Sequence, residues 1–445
     1  MPPIQVKSQE LSPETIERED RQVTVDWDVS AVRSQFPALR RTQNGKQVAF
    51  FDGPAGSQVP QSVVDAVSGY LLNTNANHGA AHATSRESDA ILDSAHGVIA
   101  DFLGTPDPAT VTFGANMTTL TLALSRTLSQ RWNSGDEIIV SRLDHDANFT
   151  PWILAAQDAG ATVRYIDLDP DDFTLNLRDF RSKLSEKTKL VAVGYASNAT
   201  GTINPVKEIV QAAQAVDAQT FVDAVHYAPH GRIDVGDIGC DFLACSAYKF
   251  FGPHVGILYG KRHLLEEIRP YKLRPSTDDL PGKWMTGTQN HEGIAGAAAA
   301  VEYLCSLDAG ASNEAHSADP NASERCKQLD RVFCRINDYE KQLSRQFLTE
   351  IRTIPGLKVW GISSLDHLSD RVPTFSMTFD RHSPAVVAER LADNGIYSWA
   401  GNHYALPFTE AAGLEPEGTL RIGALHYNTP QEIERVAECL RTIIE

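Results

Sequence analysis

Seven short runs of apolar or β-branched residues, strung between Phe50 and Gly260, limit the folds open to this chain more than any other feature. They fall at 110–113, 137–141, 163–167, 190–195, 220–223, 242–246 and 255–259, with longer helical patterns such as 117–130 and 205–216 between them. Runs this short, apolar at nearly every position, read as strands buried on both faces, and helical crossovers between them make neighbours parallel. The expected fold class is α/β: a large domain with a mostly parallel seven-stranded sheet flanked by helices, then a smaller α+β C-terminal domain. A chain of 445 residues, 42% hydrophobic, is long enough for two cores. We expect a flexible polar tail at 1–25, then a segment at 26–49 that starts with a weak helix near 28–36 and packs with the small domain. The large domain is expected at 50–295 and the small one at 296–445. A small-residue helix at 293–304 leads between them, and a polar loop follows at 308–322.

The bulk numbers exclude several function classes. A net charge of −17, from 40 basic and 57 acidic residues, disfavours nucleic acids and anionic lipid surfaces as partners. No apolar run approaches the roughly 18 residues of a membrane span, and the first ten residues lack the hydrophobic stretch of a secretory leader. Six cysteines form neither a Cys-x-x-Cys pair nor a zinc-ligand spacing. The expectation is a cytoplasmic enzyme without a metal.

Ligands of such sheets sit beyond the carboxyl ends of the strands. Two residues near such ends are poorly placed unless they are used. Lys249 lies in Asp-Phe-Leu-Ala-Cys-Ser-Ala-Tyr-Lys-Phe-Phe-Gly, where an ammonium is expensive to bury, and Asp223 ends the apolar run Thr-Phe-Val-Asp. Pyridoxal phosphate answers both problems: its aldehyde takes the lysine and its pyridinium nitrogen takes the carboxylate. Gly114-Ala115-Asn116 places small residues where a strand feeds a helix, whose N–H groups can hold a phosphate. His145, after another strand, can lie on a cofactor ring and shuttle protons. Asn198, in the turn-rich exit Ala-Ser-Asn-Ala-Thr-Gly-Thr, can donate to a phenolic oxygen.

Together these segments resemble the class V, fold type I pyridoxal phosphate enzymes, and most closely their cysteine desulfurase-like group. The likeness runs from about Phe50 to the C-terminus and rests on several motifs in order: Ser-Asn-x-x-Gly-Thr-Ile-Asn-Pro-Val-Lys-Glu-Ile, Val-Asp-x-x-x-x-x-Pro-His, Cys-Asp-Phe, Ser-x-x-Lys-x-x-Gly-Pro and Tyr-Asn-Thr. It implies that Lys249 is the Schiff-base lysine, that Asp223 pairs with the ring nitrogen and that His145 stacks on the ring. Asn198 would bond the phenolic oxygen, with His226 standing near it where the family has a glutamine. Ala115, Asn116 and Ser246 would bind the phosphate, and Thr288 would reach the phosphate of a neighbouring subunit, implying a homodimer with shared sites. Arg421 would grip the α-carboxylate of a small L-amino acid, with Asn77 and His403 also on the substrate side.

The departures bear on the reaction. Desulfurases carry a mobile-loop cysteine that takes sulfur as a persulfide; the matching stretch here is Ser-Trp399-Ala-Gly-Asn-His403-Tyr404-Ala. Tyrosine cannot accept a sulfane sulfur, so Tyr404 becomes a candidate catalytic residue of another kind beside Lys249 and His145. Tyr248 likewise replaces the usual histidine. The favoured expectation is Cα deprotonation followed by cleavage of a bond at Cβ, of the C–S lyase type without a persulfide cysteine. Decarboxylative aldolase-type C–C bond formation with a carbonyl co-substrate is the alternative, since fungal enzymes of that kind share the Ser-x-Tyr-Lys-x-Phe-Gly-Pro-His pattern. Aminotransferase or epimerase activity is a further one. A catalytically dead binding module would have lost Lys249, Asp223 or Arg421, and all three are present.

Overall fold

Each of the seven apolar runs becomes a strand of one sheet. The computed structural model describes residues 27–308 and 322–445, so the tail expected at 1–25 and nearly all of the 308–322 loop lie outside the described residues. The strands are β1 (Val111–Gly114), β2 (Glu137–Ser141), β3 (Thr162–Ile166), β4 (Thr188–Gly194), β5 (Gln219–Asp223), β6 (Phe242–Ser246) and β7 (Gly256–Gly260). Their spatial order is β1-β7-β6-β5-β4-β2-β3. The contacts β3–β2, β2–β4, β4–β5 and β5–β6 are parallel. Only β7 runs antiparallel, to both β6 and β1. Residues 247–255 are too few to form a crossover helix, so β7 has to fold back along β6.

Side chains alternate between two cores. Ile138, Val140, Leu190, Ala192, Phe221 and Phe242 pack on one face, while Ile139, Val191, Val193, Val222 and Leu243 pack on the other. Each such valine, leucine, isoleucine or phenylalanine side chain stabilises the fold by about 1.5–3 kcal/mol, which is why both faces must be covered. The covering helices include α1 (Gln61–Asn73), α2 (Ala83–Leu103), α3 (Met117–Leu128), α4 (Thr150–Ala159), α5 (Val206–Gln214) and α6 (His291–Ser306). The small residues of α6 let it pack closely on α1: a Cβ on Gly296 would come within 2.7 Å of Val67.

The C-terminal unit includes α7 (Glu324–Ile351), an antiparallel sheet and the helices α8 (Pro384–Asp393) and α9 (Pro430–Ile444). Its strands β8 (Leu357–Trp360), β9 (Thr374–Phe379), β10 (Trp399–Gly401) and β11 (Thr419–Gly423) lie in the order β8-β9-β11-β10. Its own core joins Phe347, Phe375, Met377, Leu420, Ile422, Val436 and Leu440. Residues before the large sheet contact this unit: Trp27 donates to the His426 carbonyl, Arg33 to the Tyr427 carbonyl, and Ala49–Phe50 pairs in parallel with Ile396–Tyr397. The exit loop of β4 is also stitched to it, through Val372 N to Gly201 O and Ile203 N to Asp370 O. No described helix is long and apolar enough to cross a membrane.

Candidate active site

Strands β4, β5 and β6 end side by side, at Gly194, Asp223 and Ser246, and the segment after β2 brings His145 to the same edge. Together they border a cleft. Of the residues expected from the sequence, Asn116, His145, Asn198, Asp223, His226, Ser246 and Lys249 all line it. Lys249 gets there because a single helical turn, Ala247–Lys249, follows β6 directly.

The phosphate-binding expectation has a local basis. Asn116 caps α3, accepting from Thr119 N at 2.8 Å, and Met117 N donates to Ser246 Oγ at 3.0 Å. A Cβ on Gly256 would stand 2.4 Å from the Asn116 carbonyl carbon, so only glycine lets β7 approach the start of α3 this closely. Ala115 sits on the exposed turn just before and does not line the cleft.

Lys249 and Asp223 are 8% and 7% exposed, so both charges are largely stripped of water. Burial, with Arg421 adding repulsion, pushes the Lys249 amine down to about 7, against a smaller upward pull from Asp223. Burial pushes the Asp223 carboxyl up to about 6, although Val225 N–H and Lys249 favour its charged form. Lys249 Nζ donates to the Pro54 carbonyl and lies 4.9 Å from the centre of the Tyr248 ring. Asp223 Oδ1 accepts from Val225 N at 2.8 Å, which leaves its second oxygen for a ligand in the cleft.

Two carboxyls that the sequence reading missed also belong here. Asp144 lines the cleft and accepts from Ser141 Oγ, Gly194 N and Asn148 Nδ2. Burial raises it to about 8, helped by the charge of Asp223. Asp52 is raised by burial to about 6, with Arg421 as its favourable charge. An available signal was the pattern seen at Asp223: Asp52 too ends an apolar run, Val-Ala-Phe-Phe-Asp.

Arg421, on β11, is buried and donates through Nη1 to the Asn198 carbonyl at 2.9 Å. Burial lowers it to about 9, which still leaves it charged at neutral pH. The Asn198 side chain donates through Nδ2 to the His403 carbonyl at 2.8 Å, and its Oδ1 is buried without a partner among the described residues. His403 is buried, its Nε2 against Thr419, and His226 meets Thr374 Oγ1 at 3.0 Å. Tyr404 stacks on His145 with ring centres 5.6 Å apart and an interplanar angle of 14°. Asn77 and Thr288 are elsewhere: they line a second, open cleft with His78, Asp89 and His291.

These residues fit pyridoxal phosphate. They offer an amine poised near neutrality for its aldehyde, a carboxylate with an open oxygen for its ring nitrogen, and a helix start beside Ser246 for its phosphate. The family described as aminotransferase class-V matches residues 49–334 and 330–436. A probable cysteine desulfurase of Vibrio cholerae serotype O1 is 31% identical over 433 residues, covering 94% of this chain and 99% of that protein. A probable cysteine desulfurase of Mycolicibacterium paratuberculosis is 31% identical over 433 residues and 94% of this chain, which spans only 58% of that longer relative. Likewise, the chain covers 64% of the cysteine desulfurase of Synechococcus elongatus, at 30% identity. Among solved structures, the apo cysteine desulfurase of Thermococcus onnurineus superposes with a TM-score of 0.81 at 25% identity, over 93% of this chain and 98% of that one.

Proposed function

The chain belongs to the aminotransferase class-V family and uses pyridoxal phosphate, and on that premise we propose that it cleaves a bond at Cβ of a small L-amino acid without passing sulfur to a protein thiol. When bound, the cofactor supplies an aldehyde and a ring that withdraws the electron pair left at Cα. Lys249 anchors it and, once displaced by substrate, takes the Cα proton on Nζ; an amine near 7 serves as a base at neutral pH. Asp223 holds a proton at the ring nitrogen. Arg421 orients the substrate through its α-carboxylate. His145 covers one side of the cleft, Asn116 and Ser246 secure the phosphate, and His226 and Asn198 border the ring oxygen. The Cβ substituent departs with its bonding electrons.

One observation carries the reading. Among the described residues the cleft that holds Lys249 and Asp223 is lined by no cysteine, and Tyr404 stacks on His145 at its border. Of the chain's six cysteines, Cys240, Cys245 and Cys305 are buried, Cys326 and Cys439 partly so, and Cys334 is exposed; none is in a disulfide. Free thiols also support a reducing compartment such as the cytoplasm. The relatives' common name supports carbon–sulfur cleavage as the type of reaction. The position of Thr288 and Asn77 outside the cleft supports a homodimer in which one protomer completes its partner's site.

The test is to incubate the holoprotein with L-amino acids, with and without aldehydes or keto acids, and to identify products by mass spectrometry. Pyruvate, ammonia and the Cβ group released with its electron pair (sulfide, where the substrate is cysteine) are expected; alanine would mean that the group had left without those electrons and would overturn the elimination step. A γ-hydroxy amino acid formed only with an aldehyde would transfer the assignment to carbon–carbon bond formation. Amino-group exchange alone would end the reading.

A further inference from the structure

The loop that carries a persulfide cysteine in desulfurases is fastened here at both of its central residues. The carbonyl of His403 accepts from the Asn198 side chain at 2.8 Å, and the carbonyl of Tyr404 accepts from Asp146 N at 2.6 Å. Tyr404 N donates back to Asn402 Oδ1, and Ala405 N to the Asn402 carbonyl. His403 and Tyr404 hold these positions with φ of 57° and 55°, a left-handed pair that non-glycine residues adopt only when their surroundings enforce it. Arg421 closes the circuit by donating to the Asn198 carbonyl.

The outcome is that the Tyr404 ring lies nearly parallel to His145, 5.6 Å away. The residue as a whole is 73% exposed, and among the described residues its hydrogen bonds are made by its backbone and not by its hydroxyl. The edge of His145 is fixed too, because its Nδ1 accepts from Ala147 N at 3.0 Å. A ring clamped at one edge and covered on one face can present only its other face to a ligand.

We propose that Tyr404 is a positioning residue: its ring, not its hydroxyl, backs His145 and holds that imidazole flat and dry against the cofactor. The reading rests on the proposed pyridoxal phosphate site but not on which Cβ bond breaks. It makes the tyrosine at the persulfide position a fixed element of the cofactor pocket.

The electrostatics support it. Loss of water, with the Lys249 and Arg421 charges adding to it, holds His145 down at about 4. The carboxyls around it are Asp144 and Asp146 on its own segment, with Asp223 across the cleft; Asp144 and Asp223 are themselves pushed up by burial. Removing the ring would admit water to His145 and let it titrate closer to the usual 6.5.

The experiment compares Tyr404→Phe with Tyr404→Asn. Asparagine tolerates the left-handed backbone, so the second variant loses the ring without straining the loop. Three quantities are read: the NMR titration of His145 in protein without cofactor, the affinity for pyridoxal phosphate, and turnover of whichever substrate is identified. Tyr404→Phe keeps the ring, so it is expected to keep the His145 titration point and the cofactor affinity within about twofold of the parent. Tyr404→Asn is expected to raise the His145 titration point and to weaken cofactor affinity about tenfold, the loss of an aromatic contact with its burial. An unchanged His145 titration and cofactor affinity in Tyr404→Asn would overturn the proposal. So would a drop of more than about tenfold in turnover for Tyr404→Phe, because such a drop assigns the chemistry to the hydroxyl. The first two readouts need no substrate, so the positioning role stands or falls separately from the Cβ-cleavage reading.

Discussion

Arg421 donates through Nη1 to the backbone carbonyl of Asn198 at 2.9 Å, tying strand β11 of the C-terminal unit to the exit loop of β4 in the large one. The guanidinium has further donors, and among charged groups Asp52 favours its protonated form. A two-pronged grip on a carboxylate is therefore available without breaking the tie between the domains. Arg421→Lys keeps the charge but loses the planar fork. It should raise KM for the amino acid about 10–100-fold while leaving cofactor affinity within about twofold. Steady-state kinetics and a cofactor titration check this; an unchanged KM would place the substrate carboxylate elsewhere.

The amine of Lys249 can capture an aldehyde only when neutral. Its folded value of about 7, set first by burial and then by Arg421, predicts that pyridoxal phosphate capture by apo protein rises with pH through a midpoint near 7 rather than near 10.5. Arg421→Gln removes a repelling charge, so the midpoint should move upward. Borohydride trapping followed by peptide mass spectrometry reads both the rate and the site. Lys249→Ala should abolish the adduct, and a midpoint above pH 9 in the parent would contradict the electrostatics.

The sheet was legible because each strand is a short apolar run bounded by polar punctuation; the expected 137–141 and 242–246 coincide with β2 and β6. Residues at strand ends, such as Asp223 and Lys249, were legible for a related reason, since a charge closing an apolar run demands a partner. What stayed hidden depends on contacts between distant segments. Asp52 acquires its meaning from Arg421, and the Asn198 amide turns to the His403 carbonyl only because residues 403 and 404 take left-handed conformations with no glycine to announce them. Asn77, expected on the substrate side, lines a different cleft within one chain, and it shares that cleft with Thr288, which was expected to serve a neighbouring subunit.

Sulfur transfer through a protein thiol requires a reactive cysteine at the cleft. Burial pushes the Cys245 thiol well above its ordinary 9.0 and Cys240 up to about 12, which leaves both inert. Alkylating the native holoprotein should label Cys334 first, as the exposed thiol. Turnover should stay within about twofold of the untreated enzyme, because no modified thiol lies near Lys249. Parallel loss of activity and labelling of any one cysteine, followed by intact mass, would reinstate a persulfide route.

Asp144 offers a stability test independent of substrate. Its carboxyl accepts from Ser141, Gly194 and Asn148, and Asn148 in turn accepts from the Trp152 indole at 2.9 Å. Despite these donors, burial raises it from 3.8 to about 8, so the native state holds this proton more tightly than the unfolded chain does. The sign follows from proton linkage: the stabilising contribution is complete below about pH 4 and is lost as pH rises through about 8. Asp144→Asn is nearly isosteric and cannot titrate. The melting temperature of the apo parent, relative to this variant, should therefore decline as the buffer is taken from 3.8 to about 8 and level off above that. A difference that stays flat, or that grows with pH, would mean Asp144 is ionised and well solvated by its donors in the folded protein, and that its three hydrogen bonds outweigh the cost of burial.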